Sequence, residues 1–203
     1  MNYTDLVSHV TAHVNRTNIA THIDTFIEEA TSEINRDARC PEGIGTYSFT
    51  SSASLNDMPD DVQEILSIKN VSDFSRPLKY ISNAEIDQVK YEYHGITGKP
   101  IYYTLHSLQI EVVPAPDSNY DFVLEYYKSV SQPSSANPTN IIMTTYPQLF
   151  IYGVLKYAYD FLKEPEEFLA KTAVFESEKN KSMKDYRSIR NAGNLHRKRR
   201  RYG

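Results

Sequence analysis

Tyr3, Leu6, Val7, Val10 and Val14 recur at helical spacing, which predicts a short amphipathic helix over residues 3–14, capped by Thr4 or Asn2. After a turn at Asn15–Asn18 the same period resumes. Ile19, Ile23, Phe26, Ile27, Ala30 and Ile34 form the apolar face, and Asp24, Glu28, Glu29 and Glu33 form the outer one. This second helix ends near Arg39, where Cys40-Pro41 and Gly43 act as stop signals. The short connection predicts an antiparallel helix pair.

From Gly45 the period changes to two. Strands are expected at Thr46–Ser52, Ile65–Val71 and Arg76–Ile81, with a short extended piece at Leu55–Met58. Ser82 or Asn83 would cap a turn or two of helix over Asn83–Lys90. Three more strands follow: Ile101–His106, Leu108–Val113 and Tyr120–Lys128. Their connections are so short that an antiparallel meander is predicted, because parallel neighbours need a crossover of a dozen or more residues. Ser129–Asn140 is polar, carries Pro133 and Pro138, and reads as a surface loop.

Thr145–Lys163 is the most apolar stretch and is read as one helix. Tyr146, Leu149, Phe150, Gly153, Val154, Tyr157, Ala158 and Phe161 make one stripe. Tyr152, Leu155, Tyr159 and Leu162 make a second, nearly opposite. A helix apolar all round must be covered on all sides, by its own bundle or by neighbouring subunits. Tyr152, Leu155 and Tyr159 are therefore candidate subunit-contact residues. Pro165 opens a last helix with a thin apolar stripe, expected to stop at Gly193. The fold class is α+β: an antiparallel helical bundle with an inserted antiparallel β-sheet module and a long basic C-terminal helix or tail. The expected division is residues 1–44 and 140–192 for the two parts of the bundle, 45–139 for the β module, and 193–203 for the basic tail.

Charge changes this picture. Residues 179–203 hold ten Lys and Arg against one acid, a net of +9, while residues 1–178 carry −13. A formal net charge of −4 thus conceals an acidic body and a basic end, which points to two different partners or surroundings. Arg197, Lys198, Arg199, Arg200 and Arg201 are consecutive bases, suited alike to phosphates, acidic protein or anionic lipid. With Lys184, Arg187 and Arg190 they are the candidate partner-contact set. The chain has 16 tyrosines and no tryptophan. Tyrosine suits half-buried surfaces, though β propensity alone also accounts for it.

Catalytic chemistry is not indicated. His9 and His13 are four apart, but Val10 stands where the HExxH zinc motif needs Glu. No cofactor-binding loop has the required spacing, and no acidic pair is set apart by its surroundings. One cysteine, Cys40, excludes an internal disulfide framework and reads as a bystander thiol. His9, His13 and Asn15 interrupt the first apolar stripe, so no signal peptide is expected there. No apolar run approaches the roughly 20 residues of a membrane span.

Three stretches resemble the head-to-tail adaptor proteins of tailed bacteriophages, the tubular tail protein A type. Phe26–Arg39, FIEEATSEINRDAR, is similar to the family's second helix and its exit. Gly98–Val130 has a Gly-x-Pro entry, a hairpin and a Pro-x-Pro turn into a tyrosine-rich strand. Asn137–Glu166 has an Asn-Pro-Thr loop leading to a Pro-x-Leu-x-x-Tyr-Gly helix, here Pro147, Leu149, Tyr152 and Gly153. The resemblance implies a non-enzymatic structural protein of the virion, assembled in the host cytoplasm and placed at the head–tail junction. It implies a ring, usually a dodecamer, under the portal protein, with packaged DNA passing through its lumen and a tail or nozzle protein below. The run of bases at the end is not part of the family pattern. A nucleic-acid-binding protein acting through that basic end is the alternative.

Overall fold

The computed structural model describes residues 1–199, with the side chains of all but residues 17, 73–75 and 190–199. In chain order the elements are α1 (Tyr3–Val14), α2 (Ile23–Asp37), β1 (Ile44–Ser51), β2 (Leu55–Asp57), β3 (Val62–Asn70), β4 (Asp73–Pro77), β5 (Lys79–Tyr80), α3 (Asn83–Glu92), β6 (Tyr102–His106), β7 (Gln109–Val113), β8 (Tyr120–Lys128), α4 (Ile141–Thr145), α5 (Pro147–Phe161) and α6 (Pro165–Arg199). The fold is α+β, with two compact units. Met1–Gly43 and Ser129–Gly203 form a helical unit, and Ile44–Lys128 forms a β unit.

In the helical unit, Asn2 caps α1 reciprocally: its side chain accepts from the Asp5 N–H, and the Asp5 carboxylate accepts from the Asn2 N–H. Asn15 closes the helix in the left-handed region, φ 51°, and donates its N–H to the Thr11 carbonyl. Thr17–Ile19 is a 3-10 turn, so α2 begins at Ile23 and not at Ile19, although Ile19 remains fully buried. Leu6, Val10, Phe26, Ile27, Ala30 and Ile34 meet the inner face of α5 in one core. Burying each large side chain contributes about 1.5–3 kcal/mol.

The helix expected over Thr145–Lys163 is α5, Pro147–Phe161, and a separate five-residue helix, α4, precedes it. Tyr146 stands at φ −122°, ψ 62°, between α4 and α5. Pro147 is the cause: it disfavours helical geometry in the residue before it and fits the first position of a new helix. α5 packs against α1, α2 and α6. Gly153 permits this, because a Cβ there would stand 3.2 Å from both Ala30 Cβ and Phe175 Cε2. α6 begins at Pro165 as expected but continues through Gly193. A glycine inside a helix costs only about 1 kcal/mol relative to alanine and does not by itself stop one.

The Ser129–Asn140 loop is tied to the helices. Val130 exchanges two hydrogen bonds with the Asn35 side chain, at 2.9 and 3.0 Å. Tyr3 donates its N–H to the Pro138 carbonyl at 2.7 Å.

In the β unit, one sheet has the order β1-β8-β3-β4 and the other β2-β7-β6-β5. All neighbours are antiparallel except β5 and β6, which are parallel. The predicted meander therefore breaks after its hairpin: β6 pairs with β7, but β8 joins the other sheet between β1 and β3. The Pro114–Asn119 connection carries the chain across. β8 is nine residues long, and both of its edges are filled, over eight residues by β1 and along most of its length by β3. Ile68, Phe122, Leu124 and Tyr126 of one sheet share a core with Tyr103, Ile110 and Val112 of the other. The expected Arg76–Ile81 strand is also divided, into β4 and β5 of different sheets. α3, capped through Ser82 and Glu85, covers the remaining face of β6 and β7 with Ile86 against Val113.

Candidate functional site

The side chains with candidate chemistry are mostly engaged in contacts inside their own unit. Lys156 is 7% exposed and pairs with Glu33 of α2, whose carboxylate also accepts from the Tyr157 hydroxyl at 2.8 Å. The Lys156 ammonium lies 4.4 Å from the Phe175 ring centroid and 4.8 Å from that of Tyr157. A buried lysine is tolerated here because a carboxylate and two π faces replace its water.

Tyrosine–carboxylate pairs recur in both units. Tyr3 donates to Asp24 at 2.6 Å, Tyr120 to Asp117 at 2.8 Å, Tyr126 to Asp61 at 3.0 Å and Tyr146 to Asp185 at 3.1 Å. Burial, then the bonded carboxylate, pushes the Tyr126 phenol up to about 12 and likewise raises those of Tyr146 and Tyr157. Composition showed both the surplus of tyrosine and the surplus of acid. That the two satisfy each other was not visible, since the partners are mostly distant in sequence.

Of the expected subunit-contact residues, Leu155 is fully buried and Tyr159 is 7% exposed. Their own helical unit covers them. Tyr152 is half-buried at the edge of the same core. His13 packs edge-on against Tyr159 at 6.4 Å, and burial lowers its pKa. Cys40 is 1% exposed. Among the described residues no three His, Cys, Asp or Glu stand close enough to hold a metal ion. Nor is any described helix long and apolar enough to cross a membrane.

Two helix faces of the helical unit carry charges in no ion pair among the described residues. On α6, Lys179 pairs with Glu176 and Lys181 with Glu178, whereas Lys184 and Arg187 are exposed and in no ion pair among the described residues. The side chains of Arg190, Arg197, Lys198 and Arg199 lie outside the description, as do Arg200 and Arg201 entirely. Along α2, Thr25, Glu28, Glu29, Ser32 and Arg36 line an open groove of about 520 Å³ with Tyr157 of α5. Glu33 at its edge is committed to Lys156, and Arg36 to Asp37. Glu28 and Glu29 are exposed, with no ion pair among the described residues.

Among the described residues, the charges in no ion pair on α6 and around the α2 groove are thus of opposite sign. A family model for the SU10 adaptor protein matches residues 1–201. The chain belongs to the SU10 adaptor protein family. This agrees with the resemblance to phage head-to-tail adaptors read from the sequence, and it makes the chain a phage structural adaptor and a virion component. No curated protein matches it. In this adaptor the expected contact residues thus separate: Leu155 and Tyr159 belong to the core, while Lys184 and Arg187 stand on the surface.

Proposed function

We propose that this adaptor is the repeating subunit of a ring at the head–tail junction. The ring docks under the portal protein, extends the DNA channel and offers a platform to a tail or nozzle protein. The family match over nearly the whole chain carries the reading. The charge distribution supports it. A body of net −13 suits a channel wall, because a negative lining avoids phosphate contacts that would slow the passage of DNA. The helical unit serves as an antiparallel bundle and residues 45–139 as an inserted module. Lys184, Arg187, Arg190, Arg197, Lys198, Arg199, Arg200 and Arg201 supply the basic contacts, chiefly to the portal. Tyr152 is the part of the second α5 face with surface left for a neighbour; Leu155 and Tyr159 support it from below.

The test is an electron micrograph of the protein mixed with the portal of its own phage. End-on views should show an added ring, a dodecamer by family resemblance. A portal that remains bare at saturating adaptor concentration rejects the reading.

One observation favours a second reading. Lys184 and Arg187 are exposed and in no ion pair among the described residues, upstream of five consecutive bases, which suits duplex DNA. If the basic end binds phosphates, affinity falls with salt at a log–log slope of about −0.9 per phosphate neutralised.

A further inference from the structure

We propose that the outward stripe of α6 in one copy seats in the α2 groove of the next, so that copies join head to tail. This rests on the ring reading above and names the two faces that make the contact. Leu169, Ala173, Asn180, Lys184 and Arg187 follow one another at intervals of three, four or seven along α6, and all are exposed. They fall on the side away from Phe175, Ser182 and Tyr186, which are buried. The stripe is therefore turned outward from its own unit. From Leu169, 65% exposed, it runs to two cations that are in no ion pair among the described residues. The groove on α2 offers the complement: Glu28 and Glu29 are two anions in no ion pair among the described residues, with Thr25 and Ser32 beside them.

The charges on these faces are unlike those around them. Lys179, Lys181, Glu33 and Arg36 are each satisfied within the chain. Lys184, Arg187, Glu28 and Glu29, with Glu166 at the start of α6, are the charges of these faces in no ion pair among the described residues. Opposite patches of this kind steer encounter and set register. Because the two faces differ, the contact is heterologous, and each copy keeps one face of each kind open for a further neighbour. Repetition gives a ring or an open chain, not a closed dimer. A second copy is favoured over DNA because Leu169 and Ala173 offer nothing to a phosphate backbone. The basic set is thereby divided: Lys184 and Arg187 serve the neighbouring copy, and the residues from Arg190 onward remain for the portal.

The test uses charge reversal in the full-length protein. E28K/E29K, K184E/R187E and the fourfold combination are each followed by sedimentation, alone at rising concentration and with the portal. Circular dichroism melts confirm that these exposed changes leave the fold intact. Each double variant should assemble about tenfold less well than the parent, or worse. The fourfold variant should recover, and so should a one-to-one mixture of the two double variants, which can alternate around a ring. Double variants that assemble like the parent overturn the proposal while leaving the ring reading standing. So does a K184E/R187E protein that loses only duplex DNA binding. A parent chain that never assembles, with or without portal, removes the ring reading and this contact together.

Discussion

Gly153 of α5 brings its bare α-carbon against the ring of Phe175 on α6: a Cβ at position 153 would stand 3.2 Å from Phe175 Cε2. The same Cβ would stand 3.2 Å from the Cβ of Ala30 on α2. Two helices thus close on α5 at one residue, and the Pro-x-Leu-x-x-Tyr-Gly pattern acquires a packing reason. Helix propensity alone would favour alanine at 153 by about 1 kcal/mol. Overpacking opposes it by about 1–3 kcal/mol, and Ala30 Cβ is fixed to its helix backbone. Gly153→Ala should therefore be mildly destabilising, and Gly153→Val much more so. Urea denaturation decides the sign; a more stable Gly153→Ala protein would show that the helices give way freely.

Removing Lys156 should be costly in a different way. Lys156→Ala leaves the Glu33 carboxylate, whose side chain is 11% exposed, without its cation. The expected loss is roughly 3–5 kcal/mol, the range for breaking one side of a buried pair. Replacing both partners, Lys156→Met with Glu33→Leu, should recover most of it, although Tyr157 then loses its acceptor. Thermal melts of the single and double variants measure the difference. Equal destabilisation in both would mean that packing, not charge, governs this site.

The pH dependence of stability has a tyrosine component with a definite sign. The Tyr126 phenol is raised from 10.0 to about 12 in the fold by burial and by its bond to Asp61. The native state then holds a proton that the unfolded chain releases more easily. The resulting stability is complete below pH 10, declines as pH rises through that interval, and is gone above about 12. Tyr126→Phe should flatten this decline. Phenolate absorbance followed through the same titration should show Tyr126 ionising with unfolding. Ionisation near pH 10 in a folded protein would contradict the assignment.

How far the sequence could be read depended on whether the deciding contact was local. The limits of α1, Tyr3–Val14, were legible because its apolar spacing and its Asn2 cap lie within one short segment. The short helix α4, Ile141–Thr145, was not anticipated, because five residues are too few to show a period. The partners of β8 could not be read at all: β1 and β3 are distant in sequence, while the hairpin neighbour β7 is close and was the natural choice. α5 showed two apolar faces, and spacing could not say whether a subunit or its own helices cover Leu155; α1, α2 and α6 crowd around α5, and Leu155 is fully buried. Lys156 looks like any lysine until Glu33 and Phe175 are placed beside it. Lys184 and Arg187 were nameable from the charge run, yet only the pairing of Lys179 and Lys181 with glutamates separates them as the uncommitted members.

Truncation after Gly193 tests whether the two parts of the basic end act separately. The cut removes Arg197, Lys198, Arg199, Arg200 and Arg201 and keeps Lys184 and Arg187. It also leaves Phe175, Ser182 and Tyr186, the buried contacts of α6, in place. The shortened protein should therefore fold with unchanged stability. If the consecutive bases serve the portal, binding to it should weaken and lose most of its salt dependence, since five cations have been removed from the contact. Contacts between copies, which rely on Lys184 and Arg187, should persist and appear as assembly in concentrated solution. Duplex DNA binding is measured beside these. Portal binding lost with DNA binding unchanged supports the docking role. Portal binding retained with DNA binding lost would transfer the bases to phosphate contact and make the nucleic-acid reading the better one for this segment.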